Sequence, residues 1–230
     1  MSSGKPVPTG NKPVPTERRD KKEATALRRL LLDEAARVLA EQGPAALSAR
    51  RLVKAVGAST MAVYTHFGSM PGLVREVIRE GFQRFYAHAE AVEPGPDPVS
   101  WLAGLCRGYQ EFARAEPDVY AVMFGASTLA RFELDEEDRR MGSYLLRLPR
   151  DAIQRCAEEH RFRRNVDPDL LARQLFSQMH GLAQLTRAGY IIGEHSPDQV
   201  LFGMLRDFAV AAGDAAESAT RSVTEGLRPR

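Results

Sequence analysis

The sequence predicts an all-α protein, and three observations support this fold class. Apolar residues recur at intervals of three and four along most of the chain, which is the spacing of one face of a helix. Pro117, Pro168 and Pro197 each stand where such a periodic segment begins, and proline is favoured in the first helical turn. No alternating run of β-branched residues indicates a strand. The 230 residues suit one substantial domain or two small ones.

The first helix is predicted at Lys22–Gln42 and ends at the Gly43-Pro44 pair. Its apolar face consists of Leu27, Leu31, Ala35, Val38 and Leu39. Residues 1–22 precede this helix and contain the sequence Lys-Pro-Val-Pro-Thr twice. Such a segment cannot bury enough apolar surface to offset the entropy of ordering it. We therefore predict a disordered, basic, proline-rich arm over residues 1–22.

Residues 48–67 predict two short helices joined by a tight turn. Ser48 and Ser59 are suited to cap the two helices, and Gly57 can take the positive φ that a sharp turn requires. The apolar positions that face a core are Leu52, Val53, Val56, Val63 and Phe67. The positions left facing outward are Lys54, Thr60, Met61 and Thr65. This is the helix-turn-helix arrangement, whose second helix can enter the major groove of DNA.

The stretch from Leu27 to Phe85 resembles the N-terminal domain of TetR-type (AcrR-like) transcriptional repressors. The resemblance lies in the long first helix, the AVGAST turn, the YTHFGS element and the following GLVREVI. It implies that Tyr64 and His66 contact DNA phosphates, through the phenol hydroxyl and an imidazole N–H. It also implies that the first turn of the third helix touches base edges. That turn holds Ser59, Thr60 and Met61, of which Met61 offers only apolar contact, and Thr65 faces outward beyond it.

Further phosphate contacts are predicted from the second helix. Ser48 stands at its N-terminus, where the helix dipole favours an anion, and Arg50, Arg51 and Lys54 offer positive charge. Many relatives carry Lys at the start of the fourth helix, where this chain has Met70. One ionic contact expected of the family is therefore missing.

Each of these residues has a structural alternative that the sequence leaves open. Tyr64 could pack beneath the first helix, and His66 could cap or shield the third helix. Arg50 and Arg51 could form an ordinary solvated face, while Ser48 is already explained as a helix cap. The arm could follow the minor groove or phosphate backbone, or it could be only a solvated leader.

Behind the helix-turn-helix the periodicity predicts further helices and one internal boundary. The Pro- and Gly-rich stretch Glu93–Pro98 separates a DNA-binding domain at residues 23–91 from a regulatory and dimerisation domain at residues 98–212. The tail at residues 213–230 is small and polar and is predicted to fray. The helices are predicted at about Ser69–Ala91, from Trp101 through Phe112, Pro117–Phe124, Arg139–His160, Asp167–Tyr190 and Pro197–Ala212, with a link at 126–138.

The rear of the chain carries a second resemblance, to the WHG regulatory domain of one TetR subgroup. The segments EFARAEPDVYAVMFG and FSQMHGLAQLTRAGYI carry it, and His180-Gly181 fit while Phe176 replaces the expected Trp. Aromatic and Met side chains there predict a ligand pocket with few polar groups, although such a stripe is also what a helical core looks like. The candidates are Trp101, Tyr109, Phe112, Tyr120, Met123, Phe124, Phe176, Met179 and His180.

The resemblance further implies a homodimer, in which the last two predicted helices of each copy form a four-helix interface. Two-fold proteins match palindromic operators, and these two helices carry more apolar surface than a monomer needs. The interface candidates are Leu182, Leu185, Val200, Leu201, Met204, Leu205 and Phe208. The alternative is that these side chains are buried within the monomer.

Charge and composition agree with a DNA-binding front on a regulatory rear. Residues 1–80 carry fourteen Lys or Arg and eight Asp or Glu, a formal charge of +6 that leaves −4 for the remainder. Cys106 and Cys156 lack metal-ligand spacing and are predicted to be reduced core thiols. No signal-peptide core or run of ~20 apolar residues occurs, so a cytoplasmic location is predicted, with no membrane partner.

The sequence thus predicts a homodimeric repressor that binds operator DNA and is released by a small, largely apolar ligand. One alternative is a DNA-binding regulator without such a ligand, acting constitutively or under a protein partner. The other is an enzyme, for which the sequence offers little. Its five histidines show no metal spacing, and no glycine-rich phosphate loop occurs. No cofactor, metal or catalytic residue is predicted.

Overall fold

The computed structural model describes residues 17–125, 140, 145–191 and 193–229, and these residues form ten α-helices, a short 3-10 turn and no strand. The prediction of an all-α protein is confirmed. The helices are α1 Glu17–Gln42, α2 Ala49–Val56, α3 Thr60–Phe67, α4 Met70–Glu90, α5 Pro98–Ala115, α6 Pro117–Phe124, α7 Arg147–Glu158, α8 Pro168–Arg187, α9 Pro197–Ala212 and α10 Ala216–Gly226. None of the helices in the described part of the chain combines the length and the apolar character of a membrane span.

Helices α1–α4, which we call the head, enclose one apolar core. Leu31, Leu52, Val63 and Leu73 come from the four different helices, and each is completely buried. Gly57 ends α2 with a φ of 71°, so the chain turns sharply into α3 without the steric penalty that a side chain would bring. The helix-turn-helix is therefore held against α1 and α4 mainly by its apolar face, and its other face is available for contacts.

The first helix is longer than the sequence predicted. It begins at Glu17 instead of Lys22, so the last residues of the predicted arm are helical. The segment Glu17–Lys22 is charged and has no apolar stripe, which is why periodicity did not reveal it. Residues 1–16 of the arm lie outside the described residues, as does the predicted link at 126–138.

Helices α5–α10 form the second unit, which we call the body, and α5 is its central helix. Leu102, Cys106, Tyr109 and Phe112 of α5 are all buried, because α6, α7, α8 and α10 pack against this helix. Of the predicted helix at Arg139–His160, the structure describes a helix at Arg147–Glu158, while residues 139 and 141–144 lie outside the described residues. The predicted helix ends at Gln42, Phe124 and Ala212 coincide with those of α1, α6 and α9.

The tail that the sequence predicted to fray is instead helix α10, which packs along α5. Ala219 and Val223 are fully buried there, and Gly226 comes so close that an added Cβ would lie 2.2 Å from the Ser100 carbonyl oxygen. The apolar signal of α10 is weak because small residues make most of its contacts. Its docking depends on close backbone approach, which hydrophobic periodicity does not report.

A charged cluster fixes the start of α10. The Arg161 guanidinium donates to Asp214 at 2.7 Å and to Asp97 at 3.0 Å, while the Ser222 hydroxyl donates to Asp97 at 2.5 Å. Burial raises the pKa of Asp97, but the Ser222 hydroxyl, two backbone N–H groups and Arg161 outweigh it, so the net pKa is lowered. This cluster joins the N-terminus of α5 to α10.

The head and the body meet where α6 packs against α1 and α4. Gly81 of α4 makes this close packing possible, since a Cβ there would lie 2.8 Å from atoms of both Met123 and Val119. At the same joint Arg84 donates to Asp33 of α1 at 2.9 Å and to Glu116 at 3.5 Å. The position of the head is therefore set by apolar packing and by a guanidinium that bridges both units.

Candidate functional site

The outward face of α3 is exposed. Val63 and Phe67 face the core, whereas Met61 and Tyr64 keep 69% and 48% of their surface exposed. Ser59, Thr60 and Thr65 are exposed on the same short helix. Large exposed side chains on a rigid helix suit a contact surface, because they can be buried by a partner without rearranging the fold.

The polar groups on this face differ in whether they are already satisfied. Ser59 is the N-cap residue of α3, but its side chain makes no capping hydrogen bond, contrary to the expected capping role. The Thr65 hydroxyl donates to the Met61 carbonyl oxygen at 2.9 Å. Within the described residues the Tyr64 hydroxyl has no hydrogen-bond partner. Ser59 and Tyr64 therefore retain their capacity to bond a partner, whereas the Thr65 proton is already used within the helix.

Helix α2 contributes positive charge beside α3. Arg50 and Lys54 lie one turn apart and are exposed, and neither forms an ion pair with any part of the chain that the structure describes. Arg51 is half-buried and contributes to a lowered pKa at Glu34, where Arg37 is the main cause. Arg50 and Lys54 are thus the better-placed phosphate candidates on α2, and Arg51 also serves the head.

Two other predicted contacts are placed less freely, and Met70 occupies the position where the expected ionic contact is missing. Ser48 caps α2, accepting a hydrogen bond from the backbone N–H of Arg51 at 3.4 Å. His66 is half-buried, and its ring lies 5.9 Å from that of Phe67. Met70 is packed against the core. The structure therefore places all the predicted DNA contacts on or beside α2 and α3, and those that are exposed with no hydrogen bond or ion pair of the side chain to the described residues are Ser59, Thr60, Met61, Tyr64, Arg50 and Lys54.

In the body, a buried polar cluster joins three helices. The hydroxyls of Tyr109 and Tyr120 lie 2.9 Å apart, and the Tyr120 hydroxyl lies 2.8 Å from Nδ1 of His180. Burial raises the pKa of Tyr109, raises that of Tyr120 to about 12, and lowers that of His180. A neutral imidazole accepting from a phenol satisfies these groups, which makes the cluster a link between α5, α6 and α8.

Most of the predicted pocket residues surround this cluster, and they pack against one another. Phe124 and Phe176 lie 5.0 and 6.1 Å from the His180 ring, centroid to centroid. Phe112 and Met123 are buried. The void lined by Tyr109, Phe176 and Met179 is only about 40 Å³, so these residues mainly form core.

Trp101 stands apart from the other pocket candidates. Its indole Nε1 donates to the Val92 carbonyl oxygen at 3.0 Å, and its ring lines a groove shared with α10. Trp101 and Tyr109 of the cluster both lie on α5 at helical spacing, so the sequence could not separate them. Only the packing of α10 along α5 distinguishes their positions.

A cleft of about 550 Å³ that the sequence did not reveal lies between α4 and the start of α7. Phe82, Gln83, Tyr86, Ala87, Glu90, Leu145 and Arg147 line it. The available signal was Tyr86, an aromatic residue that falls outside the apolar stripe of α4. Leu145 and Arg147 could be assigned to the cleft only once the fold was known.

The outer faces of α8 and α9 differ from the predicted interface. Leu182, Leu201, Leu205 and Phe208 are buried within the monomer, because α9 packs against α8 and α10. These four residues therefore cannot supply the free interface area that the sequence predicted. Leu185, Val200 and Met204 remain partly or fully accessible.

Family models match both halves of the chain. The model of bacterial regulatory proteins of the tetR family matches residues 31–77, and the tetracyclin repressor-like C-terminal domain matches residues 102–208. The WHG assignment is not confirmed. No curated protein matches the sequence.

Solved structures share the fold. A protein of unknown function from Rhodococcus sp. RHA1 is 24% identical, with 82% of this chain and 96% of that chain covered and a TM-score of 0.68. The TetR family transcriptional regulator PfmR from Thermus thermophilus is 21% identical, covering 80% and 99%, with a TM-score of 0.64. AibR, solved with isovaleryl coenzyme A and operator DNA, is 18% identical, covering 78% and 96%, with a TM-score of 0.62.

Proposed function

This chain belongs to the TetR family of transcriptional regulators, which are not enzymes, and from this we propose that it is a homodimeric repressor of a palindromic operator. A small, largely apolar ligand bound in the body releases it from DNA. The observation that carries the proposal is the exposed face of α3, where Met61 and Tyr64 project beside two cations of α2 that form no ion pair with the described residues. A cytoplasmic location accompanies this function.

The role of each residue on that face follows from the chemistry of its side chain. Arg50 and Lys54 provide phosphate neutralisation, which gives most of the affinity and makes it dependent on salt. The Tyr64 hydroxyl and a His66 ring N–H position the head on the backbone. Ser59, Thr60 and Met61 reach the base edges, where a hydroxyl can bond any base and a thioether can contact the thymine methyl.

The outer faces of α8 and α9 support the homodimer. Gly181 and Gly203 each look onto open space, where an added Cβ would meet no atom within 4 Å. An open groove of about 660 Å³ lies between the two helices, lined by Gln178, Met204 and Asp207 among others. Glycines without a neighbour let a partner helix approach closely, so these faces suit the two-fold contact that a palindrome requires.

Ligand binding is coupled to DNA binding through the contacts between the body and the head. Helix α6 carries Tyr120, which is bonded to α8, and α6 also packs on α1 and α4. A ligand that favours one position of α4 or α6 therefore shifts the spacing between the two heads. Its effect on operator affinity equals its differential affinity for the two arrangements.

The AibR structure holds a ligand and operator DNA on the same fold, which supports a shared scheme. The direct test is footprinting of the purified protein on the DNA upstream of its own gene. We expect a protected palindrome at submicromolar protein and low salt. No protection at micromolar protein would overturn the proposal.

The homodimer is tested by sedimentation of two variants at one position. Gly203→Arg places a charged side chain in the helix–helix contact and is expected to give monomers that no longer protect the operator. Gly203→Ala is the matched control, expected to remain dimeric, since a methyl group there meets nothing in the monomer. A Gly203→Arg protein that stays dimeric would place the interface elsewhere.

A regulator without a small-molecule ligand is the second candidate. The observation that favours it is the dense packing around His180, where the predicted pocket residues leave a void of only about 40 Å³. The larger cleft beside α4 favours the ligand-controlled form. If a compound that occupies that cleft releases the protein from its operator, the ligand-controlled repressor is the correct candidate.

A further inference from the structure

The cleft between α4 and α7 has the size and composition of a small-molecule site. Its volume of about 550 Å³ falls in the range that drug-sized ligands occupy, about 300–1,000 Å³. One face of α4 supplies most of the wall, including Phe82, Tyr86 and Ala87. Helix α4, which belongs to the head, therefore also forms the wall that a bound molecule would touch.

The inner end of the cleft is apolar. Leu145 lines the cleft and also the small void of about 40 Å³ behind it, so this side chain separates the two spaces. The void is walled by Phe85, Leu105, Phe176 and other apolar groups. A molecule entering from the cleft thus meets hydrocarbon at its inner end.

The rim of the cleft is polar, and Arg147 is its central group. The Arg147 guanidinium lies 5.2 Å from the centroid of the Tyr86 ring, and its Nη2 donates to Glu90 at 3.3 Å. Both side chains of that ion pair are about half exposed. Glu90 accepts the only hydrogen bond that Arg147 donates to the described residues, so the planar fork has further donors with which an incoming anion can make more bonds than Glu90 does.

The surroundings of Arg147 favour an anion over a cation. Arg147 begins α7, whose first turn contains no acidic residue and no side-chain cap, and the positive end of the helix dipole lies there. Stacking on Tyr86 holds the guanidinium in place independently of Glu90. Glu90 ends α4, where the helix dipole disfavours a carboxylate. Exchange of Glu90 for another anion therefore leaves Arg147 where it is.

We propose that the effector is a monocarboxylate with an apolar tail, bound with its carboxylate on Arg147 and its tail along Phe82 towards Leu145. This inference rests on the proposed ligand-controlled function and specifies its ligand. An arginine fork pairs with a carboxylate through two parallel hydrogen bonds. Because the ligand displaces Glu90, it removes an ion pair that ties α4 to α7. Binding thereby acts directly on α4, the helix of the head that lines the cleft.

The proposal is tested by calorimetric titration of the full-length protein with octanoate, octanamide and octylamine, which share one tail. We expect octanoate to bind about tenfold more tightly than octanamide, the value of one charge-assisted hydrogen-bond pair. Octylamine is expected to bind least. Arg147→Gln should abolish the preference for octanoate over octanamide. Arg150→Gln is the matched control in the same turn, because Arg150 is paired with Asp169 and lies outside the cleft.

A second variant moves the affinity in the opposite direction. Glu90→Gln removes the competing carboxylate, so octanoate should bind several-fold more tightly than it does to the wild type. This gain would be seen even if Arg147→Gln failed to fold. Equal binding of octanoate and octanamide, preference for octylamine, no octanoate binding up to millimolar concentration, or weaker octanoate binding by Glu90→Gln would each overturn the proposal.

Operator binding is measured on the same samples to separate this inference from the proposed function. Octanoate is expected to lower the operator affinity of the wild type and to have no effect on Arg147→Gln. Operator binding without octanoate binding would overturn only the ligand assignment. Octanoate binding by a protein that protects no operator would instead overturn the proposed function.

Discussion

On the head, Met61 and Tyr64 keep 69% and 48% of their surface exposed, whereas in the body Tyr109 and Tyr120 retain 7% and 0%. The Tyr64 hydroxyl has no hydrogen-bond partner among the described residues, while the two body phenols are bonded to each other and to His180. A satisfied, buried group contributes to folding, and an unsatisfied, exposed group contributes to recognition. The same residue type therefore has opposite roles in the two units, and substitutions should separate stability from DNA affinity.

The largest expected effect on stability is in the body. Tyr120→Ala removes a fully buried ring and leaves His180 only the longer contact to the Tyr109 hydroxyl at 3.3 Å, so the free energy of unfolding should fall by about 3–5 kcal/mol. Chemical denaturation measures this. Tyr190→Ala is the control, since Tyr190 is 73% exposed, and it should change stability by less than about 0.5 kcal/mol. Similar losses in both variants would remove the distinction between buried and exposed tyrosines.

The largest expected effect on DNA affinity is on the head. Tyr64→Ala should weaken operator binding by roughly tenfold, as expected for loss of one hydrogen bond to a charged phosphate. His66→Ala should act in the same direction. Because Tyr64 is exposed, its replacement should leave the melting temperature almost unchanged. Equilibrium titration with labelled operator gives the affinity, and unchanged affinity in the Tyr64→Ala/His66→Ala double variant would show that neither side chain contacts the operator phosphates.

The joint between the units should respond in both measurements. Arg84→Gln breaks the bridge between Asp33 and Glu116 and is expected to cost about 1–2 kcal/mol of stability. It should also reduce the change in operator affinity that a ligand produces, since the head is held less firmly to α6. Arg114→Gln is the control, because it breaks only an exposed pair with Asp198 inside the body. If the ligand changes the operator affinity of Arg84→Gln as much as that of the wild type, the coupling between ligand and DNA binding depends on apolar packing alone.

The smallest expected effect is on the salt dependence of binding. Arg50→Gln and Lys54→Gln should each lower the slope of log affinity against log salt by roughly 1, because each variant neutralises one phosphate fewer. Discrimination between operator and random DNA should change little, because phosphate contacts carry no sequence information. An unchanged slope would show that these cations are an ordinary solvated face.

The two units also differ in how much of them the sequence could predict. Residues 48–67 predicted the turn at Gly57, the buried Val63 and Phe67 and the outward side chains, because an exposed helix follows its own periodicity. In the body, α10 was missed, and the burial of Leu182 and Phe208 was only the alternative to their predicted place in the interface. Those features depend on which helix covers which, and Gly226 and Ser222 act through contacts with residues more than a hundred positions away. The contacts by which Arg84 and Arg147 join separate helices gave no sequence signal, because Asp33, Glu116 and Glu90 are distant from them in the sequence.

Cleavage of DNA from a chelate attached at Met61→Cys tests the central claim most directly. Burial raises the pKa of both Cys106 and Cys156 to about 12, so a thiol-reactive iron chelate should label the exposed new cysteine selectively. We expect two groups of cuts in the operator, about one helical turn or a multiple of it apart and related by the dyad, and none from Tyr190→Cys. Absence of cleavage by labelled protein that still binds the operator, or equal cleavage from both positions, would contradict the account.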